Sequence, residues 1–107
     1  MITEIGFGDS GQEEPDYKRL RYHKEHLEQV YLAIQSGIKV TGYVAWSLID
    51  TIEWDSGYST KFGLYKIDFN DPKRRRTPRA SAKYYADVIK SRTLNVPIKY
   101  IPDELYS

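Results

Sequence analysis

Cysteine is absent from the 107 residues, which excludes a disulfide scaffold, a thiolate metal site and a cysteine nucleophile. Long apolar runs are also missing: the longest nearly uncharged stretch, residues 40–49, is half the roughly 20 residues that a membrane helix needs. Glu4 places a negative charge where a signal peptide is basic, so none is indicated. With 16 basic against 15 acidic residues, no global field favours nucleic acid or an anionic membrane as a partner.

Aromatic side chains are the abundant feature of this sequence. They make up 14% of the residues and include ten Tyr and two Trp, which can fill a core or stack on a ligand. The length corresponds to about one domain, since domains run on the order of 100–200 residues. A content of 40% hydrophobic and 29% charged residues is that of an ordinary soluble globular chain.

The apolar pattern predicts a strand end at residues 1–3, a glycine-rich loop over residues 6–14 and then a helix. Asp16 stands at the N-cap position of this helix, and Gly37 stands where a glycine ends it. The next stretch, Ile38–Leu48, is nearly continuous in apolar, β-prone residues. Such a run predicts a parallel strand that is buried on both faces.

Two further elements follow an irregular aromatic stretch. Residues 63–69 alternate in character and predict a strand, whereas Thr77 and Pro78 are typical of a helix start. Ala82, Tyr85, Ala86 and Ile89 would then line one face of this second helix. The order predicts two β/α units of a parallel α/β fold, with a sheet edge open on each side.

Candidate functional residues cluster at the predicted strand ends. Glu4 ends the first strand, Trp46 ends the second, and Glu53 and Trp54 lie in the loop that follows. In a (β/α)8 barrel, functional side chains sit at the carboxyl ends of strands. Carboxylates and indoles at one rim suit glycoside chemistry, because indoles stack on sugar rings. The alternative is a solvated Glu4 and tryptophans that only fill the core.

Four segments carry a family resemblance. Residues 2–6 resemble I/V-T-E-N-G, and residues 42–54 resemble G-Y-x-x-W-S-L-x-D-N-x-E-W. Residues 57–64 look like G-Y-x-x-R-F-G-L, and residues 76–82 resemble R-x-P-K-x-S-A. These motifs are those of glycoside hydrolase family 1, the β-glucosidase type, and the match is in order over residues 2 to about 92. The sequence most resembles animal β-glucosidases and myrosinase-like thioglucosidases.

The resemblance implies a fold and a domain division. Residues 1–92 would be the C-terminal part, about the last two β/α units, of a TIM (β/α)8 barrel, incomplete on its own. Residues 93–107 would be a C-terminal tail. The implied activity of the full-length protein is retaining hydrolysis of a β-glucoside or another small glycoside, with no metal and no organic cofactor.

The resemblance also assigns roles residue by residue. Glu4 would be the catalytic nucleophile, and Trp46 would form the platform under the sugar. Glu53 would accept hydrogen bonds from sugar hydroxyls, and the Trp54 indole N–H would donate another. Phe62 would line the pocket wall.

Departures from the family pattern limit this assignment. Ile5 and Thr51 each stand where the family has Asn, and Ile52 replaces an aromatic residue. The family's acid/base segment, T-x-N-E-P, is absent from these residues. A retaining glycosidase needs two carboxyl groups about 5–5.5 Å apart. We therefore expect the 107 residues alone to be inactive. Glu53 cannot replace the missing acid/base carboxyl group if its role is to bind the sugar.

Other residues have alternative interpretations. His23 and His26 are not spaced as H-E-x-x-H, so helix packing is favoured over a metal site. The basic run 73–76 with Arg79 could be a nucleic-acid patch or simply solvated charge. Asp50 could contact a ligand or cap a loop.

Three functional classes follow from the sequence. The first is part of a β-glucosidase, the second a non-catalytic carbohydrate-binding remnant or pseudoenzyme, and the third a small basic-patch interaction protein unrelated to sugars. The ordered match to family 1 favours the first two.

Overall fold

The computed structural model describes residues 2–12, 16–52, 57 and 59–94. Its elements are, in chain order, β1 (Ile2–Gly6), α1 (Tyr17–Gln35), β2 (Tyr43–Trp46), β3 (Tyr65–Ile67), β4 (Arg76–Pro78) and α2 (Ala80–Ser91). Strands β1 and β2 pair in parallel, and β3 and β4 form a separate antiparallel pair. The described residues follow the predicted α/β order through β3, whereas β4 and its antiparallel pairing with β3 were not predicted, and the described strands do not form a closed barrel.

Strand β2 is shorter and less buried than predicted. The prediction was a strand over Ile38–Leu48 covered on both faces, whereas β2 has four residues of alternating burial. Val44 and Trp46 are 45% and 38% exposed. A parallel strand is buried on both faces only when other elements cover both. Within the described residues, the helices cover one face and leave the other open.

Both helices pack against the covered face of the sheet. The Nδ1 atom of His23 in α1 lies 2.8 Å from the hydroxyl oxygen of Tyr43. The Tyr85 hydroxyl of α2 donates to the Tyr43 carbonyl oxygen at 3.4 Å. Between the helices, Leu20 and Tyr84 form a small buried core. Of the predicted inner face of the second helix, Ala82 is buried, Tyr85 is half-buried, and Ala86 and Ile89 are exposed.

The start of α2 was predicted two residues too early. Thr77 and Pro78 belong to β4, and α2 begins at Ala80. One of its N-terminal amides is bonded by the residue before α1: the Asp16 carboxylate accepts from the Ser81 backbone N–H at 3.0 Å and from the Ser81 hydroxyl at 2.6 Å. Asp16 does occupy the predicted N-cap position of α1, but its side chain makes no cap hydrogen bond there. A carboxylate at a helix N-terminus is stabilising, and here it joins the two helices.

Candidate functional site

Strands β1 and β2 end at the same sheet edge, β1 at Gly6 rather than at Glu4 as predicted, and β2 at Trp46 as predicted. Ile5 pairs with Ala45, and Gly6 pairs with Trp46. Opposed residues of a parallel pair share a face, and successive residues alternate between faces. Glu4 therefore lies on the same face as Trp46, while Ile5 and Ala45 lie on the face that the helices cover. Glu4 and Trp46 are both exposed.

A register shift in β1 decides the face on which Glu4 lies. Ile2 pairs with Tyr43 and Ile5 with Ala45, so three steps along β1 correspond to two along β2. Without the extra residue, the register from Ile2 would place Glu4 opposite Ala45, on the helix-covered face. A one-residue shift moves a side chain to the other face of a sheet, and bulges re-aim side chains in this way.

Two glycines after Glu4 allow close approach by the other candidate residues. A Cβ atom on Gly6 would collide with the Trp46 carbonyl oxygen. A Cβ atom on Gly8 would lie 2.6 Å from the Phe62 ring and from the Thr60 methyl group. The structure thus brings together Glu4, Trp46 and the segment that carries Phe62. Glu53 and Trp54, the other predicted site residues, lie outside the described residues.

Arg19 is a buried residue near this site that the sequence analysis missed. Its side chain is fully buried and donates to Asp16 at 2.9 Å, Asp9 at 2.6 Å and the carbonyl oxygens of Phe7 (3.2 Å) and Lys61 (2.7 Å). The three-residue spacing from Asp16 was a local signal for an ion pair. Nothing in the sequence pattern indicated the contacts to Asp9, Phe7 and Lys61.

Asp50 and Arg79 form a second buried ion pair. The Arg79 guanidinium donates to the two Asp50 oxygens at 2.8 and 2.9 Å and to the Gly63 carbonyl oxygen at 2.6 Å. Asp50 also accepts from the Gly63 N–H at 3.0 Å. Of the two interpretations of Asp50, the structure favours loop capping. Grouping Arg79 with the basic run was wrong, because residues 73–76 are exposed and Arg79 is buried.

An open cleft lies at the β3–β4 pair rather than at the candidate site. Its volume is about 810 Å³, and its charged lining residues are Lys61, Lys66, Asp68, Arg74 and Arg75. Its lining does not include Glu4, Trp46 or Phe62. Glu4 and Trp46 are exposed on the open face of the sheet.

The described residues carry neither a metal-binding cluster nor a membrane-spanning helix. In the part of the chain that the structure describes, no three His, Cys, Asp or Glu side chains are grouped so as to hold a metal ion. Neither described helix is long and apolar enough to cross a membrane. His23 and His26 pack as helix-face residues, with the Nδ1 atom of His26 2.7 Å from the Tyr22 carbonyl oxygen.

Comparison with known proteins identifies the family. The sequence profile of glycosyl hydrolase family 1 matches residues 1–94. The chain belongs to glycosyl hydrolase family 1. Human lactase/phlorizin hydrolase is 49% identical over 89 residues, which are 82% of this chain and 5% of that protein. The family resemblance of the sequence motifs is thereby confirmed.

Solved family-1 structures share the fold of this chain. Aphid myrosinase superposes with a TM-score of 0.77 at 46% identity, covering 83% of this chain and 19% of the myrosinase. The β-glucosidase from Thermotoga maritima in complex with castanospermine gives a TM-score of 0.80 at 35% identity, covering 89% and 22% of the two chains. The family-1 chain thus spans about a fifth of the enzymes whose structures it matches.

Because this chain spans about a fifth of the matched enzymes, its contribution to an active site is best measured within a complete family-1 enzyme. Measurements that need a complete family-1 enzyme can use the myrosinase chimera, in which the whole chain replaces the matching segment of aphid myrosinase. The 46% identity and common fold make this replacement structurally reasonable.

Burial shifts the pKa values of the polar groups behind the sheet. The pKa of His23 is lowered to about 4, first by burial and then by the positive charge of Arg19. Its Nε2 atom is buried and has no hydrogen-bond partner among the described residues, which also disfavours a second proton on the ring. Burial raises the pKa values of Tyr43 and Tyr85, so both hydroxyls stay protonated near neutral pH.

Acid should destabilise the fold through His23. Because its folded pKa lies below the ordinary value of 6.5, the unfolded state takes up the proton first. The stability is therefore fully present above pH 6.5 and is lost as the pH falls towards 4. The loss should reach at most about 3 kcal/mol, taking 1.36 kcal/mol for each pKa unit. Urea unfolding of the chimera at several pH values measures it.

The variant His23→Gln should show a weaker loss of stability across this pH range. Gln29→Asn is the matched control, since Gln29 is an exposed residue without a titrating group on the same helix. An unchanged pH dependence in His23→Gln would contradict the assignment.

Proposed function

We propose that this chain supplies the last two β/α units of a family-1 (β/α)8 barrel over residues 1–92, with residues 93–107 as a tail. Two parallel strands covered by helices on one face support this placement, as does a share of about a fifth of the matched enzymes. Barrel strands have a helix layer outside and side chains packed inside. The exposed Val44 and Trp46 would then face the barrel interior.

In the complete protein, this part catalyses retaining hydrolysis of β-glucosides. The observation that carries the proposal is the register shift in β1, with which Glu4 shares the open face with Trp46 near the carboxyl ends of two parallel strands. Functional groups of barrel enzymes lie at that end. The names of the relatives, which include β-glucosidases, a myrosinase and lactase/phlorizin hydrolases, agree with glycoside substrates.

The reaction has two steps. In the first, a Glu4 oxygen forms a bond to the anomeric carbon while the bond from that carbon to the leaving oxygen breaks. A carboxylic acid outside these residues gives its proton to the leaving group. In the second step the resulting carboxylate removes a proton from water, whose oxygen displaces Glu4 from the anomeric carbon. Two displacements at one carbon retain the configuration.

The remaining site residues bind the sugar. Trp46 lies under the ring as a platform, and Phe62 forms part of the wall above the loop that follows Glu4. Glu53 accepts hydrogen bonds from sugar hydroxyls and Trp54 donates one through its indole N–H. These roles rest on the family motif, with Trp46 and Phe62 further supported by their closeness to Gly6 and Gly8.

Covalent labelling tests the proposal. The myrosinase chimera is treated with a 2-fluoro β-glucoside carrying a good leaving group, which slows the second step and traps the glycosyl enzyme. Mass spectrometry of the digested protein should find the fluorosugar on the peptide that contains Glu4. A label on another carboxylate would contradict the nucleophile assignment.

The alternative, a non-catalytic carbohydrate-binding remnant, predicts a different result in the same experiment. Ile5 next to Glu4 is the observation that favours it, because the family has Asn there. A pseudoenzyme would bind glucose measurably and take up no label. Restoring Asn in the Ile5→Asn chimera would then show whether this one residue removed the activity.

A further inference from the structure

The segment Lys61–Gly63 is held on both sides of Phe62 by buried ion pairs. One pair involves Arg19 and the other Arg79, and both guanidinium groups are at most 5% exposed. Each arginine bonds a carboxylate and, in addition, a backbone carbonyl of a residue adjacent to Phe62. The backbone is therefore fixed directly before and directly after this side chain.

Each arginine, together with the carboxylate and the carbonyl oxygen that it binds, is called a clamp here. The first clamp, centred on Arg19, joins the segment to the loop that follows β1. The Nη2 atom of Arg19 donates to the Lys61 carbonyl oxygen at 2.7 Å and to Asp9 Oδ1 at 2.6 Å. Asp9 and Lys61 also exchange two backbone hydrogen bonds, at 3.0 and 2.7 Å. Nε of Arg19 donates to the Phe7 carbonyl oxygen. One buried cation thus fixes the loop after Glu4 against the segment that carries Phe62.

The second clamp holds the other side of Phe62. Gly63 donates its N–H to Asp50 and accepts from Arg79 through its carbonyl oxygen, so both of its backbone polar groups are bound. Phe62 itself accepts, through its carbonyl oxygen, from the Ser47 N–H at 3.1 Å. Ser47 directly follows Trp46. The segment is therefore fixed to the end of β2 as well.

We propose that Arg19 and Arg79 are positioning residues that hold Phe62 as the wall of the glycoside site and so determine how tightly the sugar binds. This inference rests on the proposed function, because it assumes that the sugar occupies the face beside Glu4 and Trp46. Both arginines are buried and neither is exposed on that open face. Each acts through the backbone on either side of Phe62.

Residue 79 is an arginine, and the shape of its guanidinium group matters for the positioning role. The family motif has Lys at this position, whereas this chain has Arg. A planar guanidinium can donate to both Asp50 oxygens and to the Gly63 carbonyl at once, and an ammonium on a flexible stem acts more as a point charge. Arg79→Lys should therefore keep the buried charge paired, and with it the fold, while loosening the hold on Gly63.

A double-mutant cycle with Phe62 tests whether the clamp acts through that residue. The variants Arg79→Lys, Phe62→Ala and the double variant are made in the myrosinase chimera. Arg79→Lys should raise KM for an aryl β-glucoside roughly ten-fold with kcat changed by less than about two-fold, since a binding contact shared by ground and transition states is loosened. The double variant should match Phe62→Ala alone, because coupled residues are not additive.

Backbone amide exchange gives a readout that does not depend on activity. Arg79→Lys should speed exchange of the Gly63 amide while the amides of α2 stay protected. Arg76→Lys is the matched control, because Arg76 is exposed on neighbouring β4 and should change neither exchange nor KM. Arg19→Lys should in the same way speed exchange of the Lys61 amide.

The outcomes separate this inference from the proposed function. Unchanged KM in Arg79→Lys, or additive effects of the two substitutions, would overturn the positioning role even in an active enzyme labelled on Glu4. Failure to label Glu4 would instead overturn the proposed chemistry. In an inactive chimera, the dissociation constant for glucose replaces KM in the same cycle, with the same expected ratios.

Discussion

Replacing Glu4 with alanine in the myrosinase chimera should lower kcat for an aryl β-glucoside by on the order of 10⁴-fold or more, a loss of the size seen when a covalent nucleophile is removed. The physical reason is that no other described carboxylate shares the open face at this strand end. Both Asp50 oxygens are bound to Arg79, and Asp9 and Asp16 are bound to Arg19. The measurement is the initial rate of aryl alcohol release.

A small external nucleophile should restore part of this loss. Azide can enter the space left by the Glu4 carboxylate and attack the anomeric carbon from the face opposite the leaving group. The product should be the α-glucosyl azide, because only one displacement occurs. Glu25→Gln is the control, since Glu25 lies on the exposed side of α1 and pairs with Arg21. Full activity in Glu4→Ala would remove Glu4 from the mechanism.

The sequence could predict which residues meet at one edge, because that depends on topology alone. The strands of successive β/α units run parallel, so their ends coincide; Trp46 ends β2, and Glu4 lies two residues before the end of β1. The register shift between Ile2 and Ile5 was not predictable in this way. It places one extra residue within a five-residue strand, and no glycine or proline in that stretch signals it. Yet it determines the face to which Glu4 belongs.

Buried polar residues were harder to interpret from local pattern. Asp16 looks like a cap for its own helix, but its carboxylate serves Ser81, 65 residues away. Arg79 looks like part of a basic surface run, but its partner Asp50 is 29 residues away. Capping and charge patterns report on neighbours within a few positions, whereas these pairs exist only once the chain is folded. The sequence pattern therefore could not predict the two clamps on either side of Phe62.

The length of β2 shows a related effect. A continuous apolar run predicts burial on both faces, but it does not say which part of the chain provides the cover. In the described residues Val44, Leu48 and Ile52 remain 45–67% exposed. On the proposed barrel placement, other parts of the barrel would cover these residues, which would explain why the apolar pattern extends beyond the four residues that pair.

The same exposed residues predict that the 107 residues have little stability when they are expressed alone. Each large apolar side chain left fully in water forgoes roughly 1.5–3 kcal/mol. Nine described residues of this kind are 38% exposed or more. Several partial losses of this size are comparable to the whole stability of a typical domain, about 5–15 kcal/mol. The isolated chain should therefore aggregate or lack a cooperative thermal transition, as circular dichroism can show.

Turnover by the isolated chain should accordingly be indistinguishable from buffer. Positioned general acid–base catalysis contributes about 10²–10⁴-fold, and the family's acid/base segment is absent from these residues. The pocket would also lack the side chains of the other barrel strands, so the two losses multiply. The assay uses an aryl β-glucoside with Glu4→Gln as the control protein. Turnover that exceeds buffer and disappears in Glu4→Gln would mean that a carboxylic acid within this chain protonates the leaving oxygen, and Glu53 would be the first to replace.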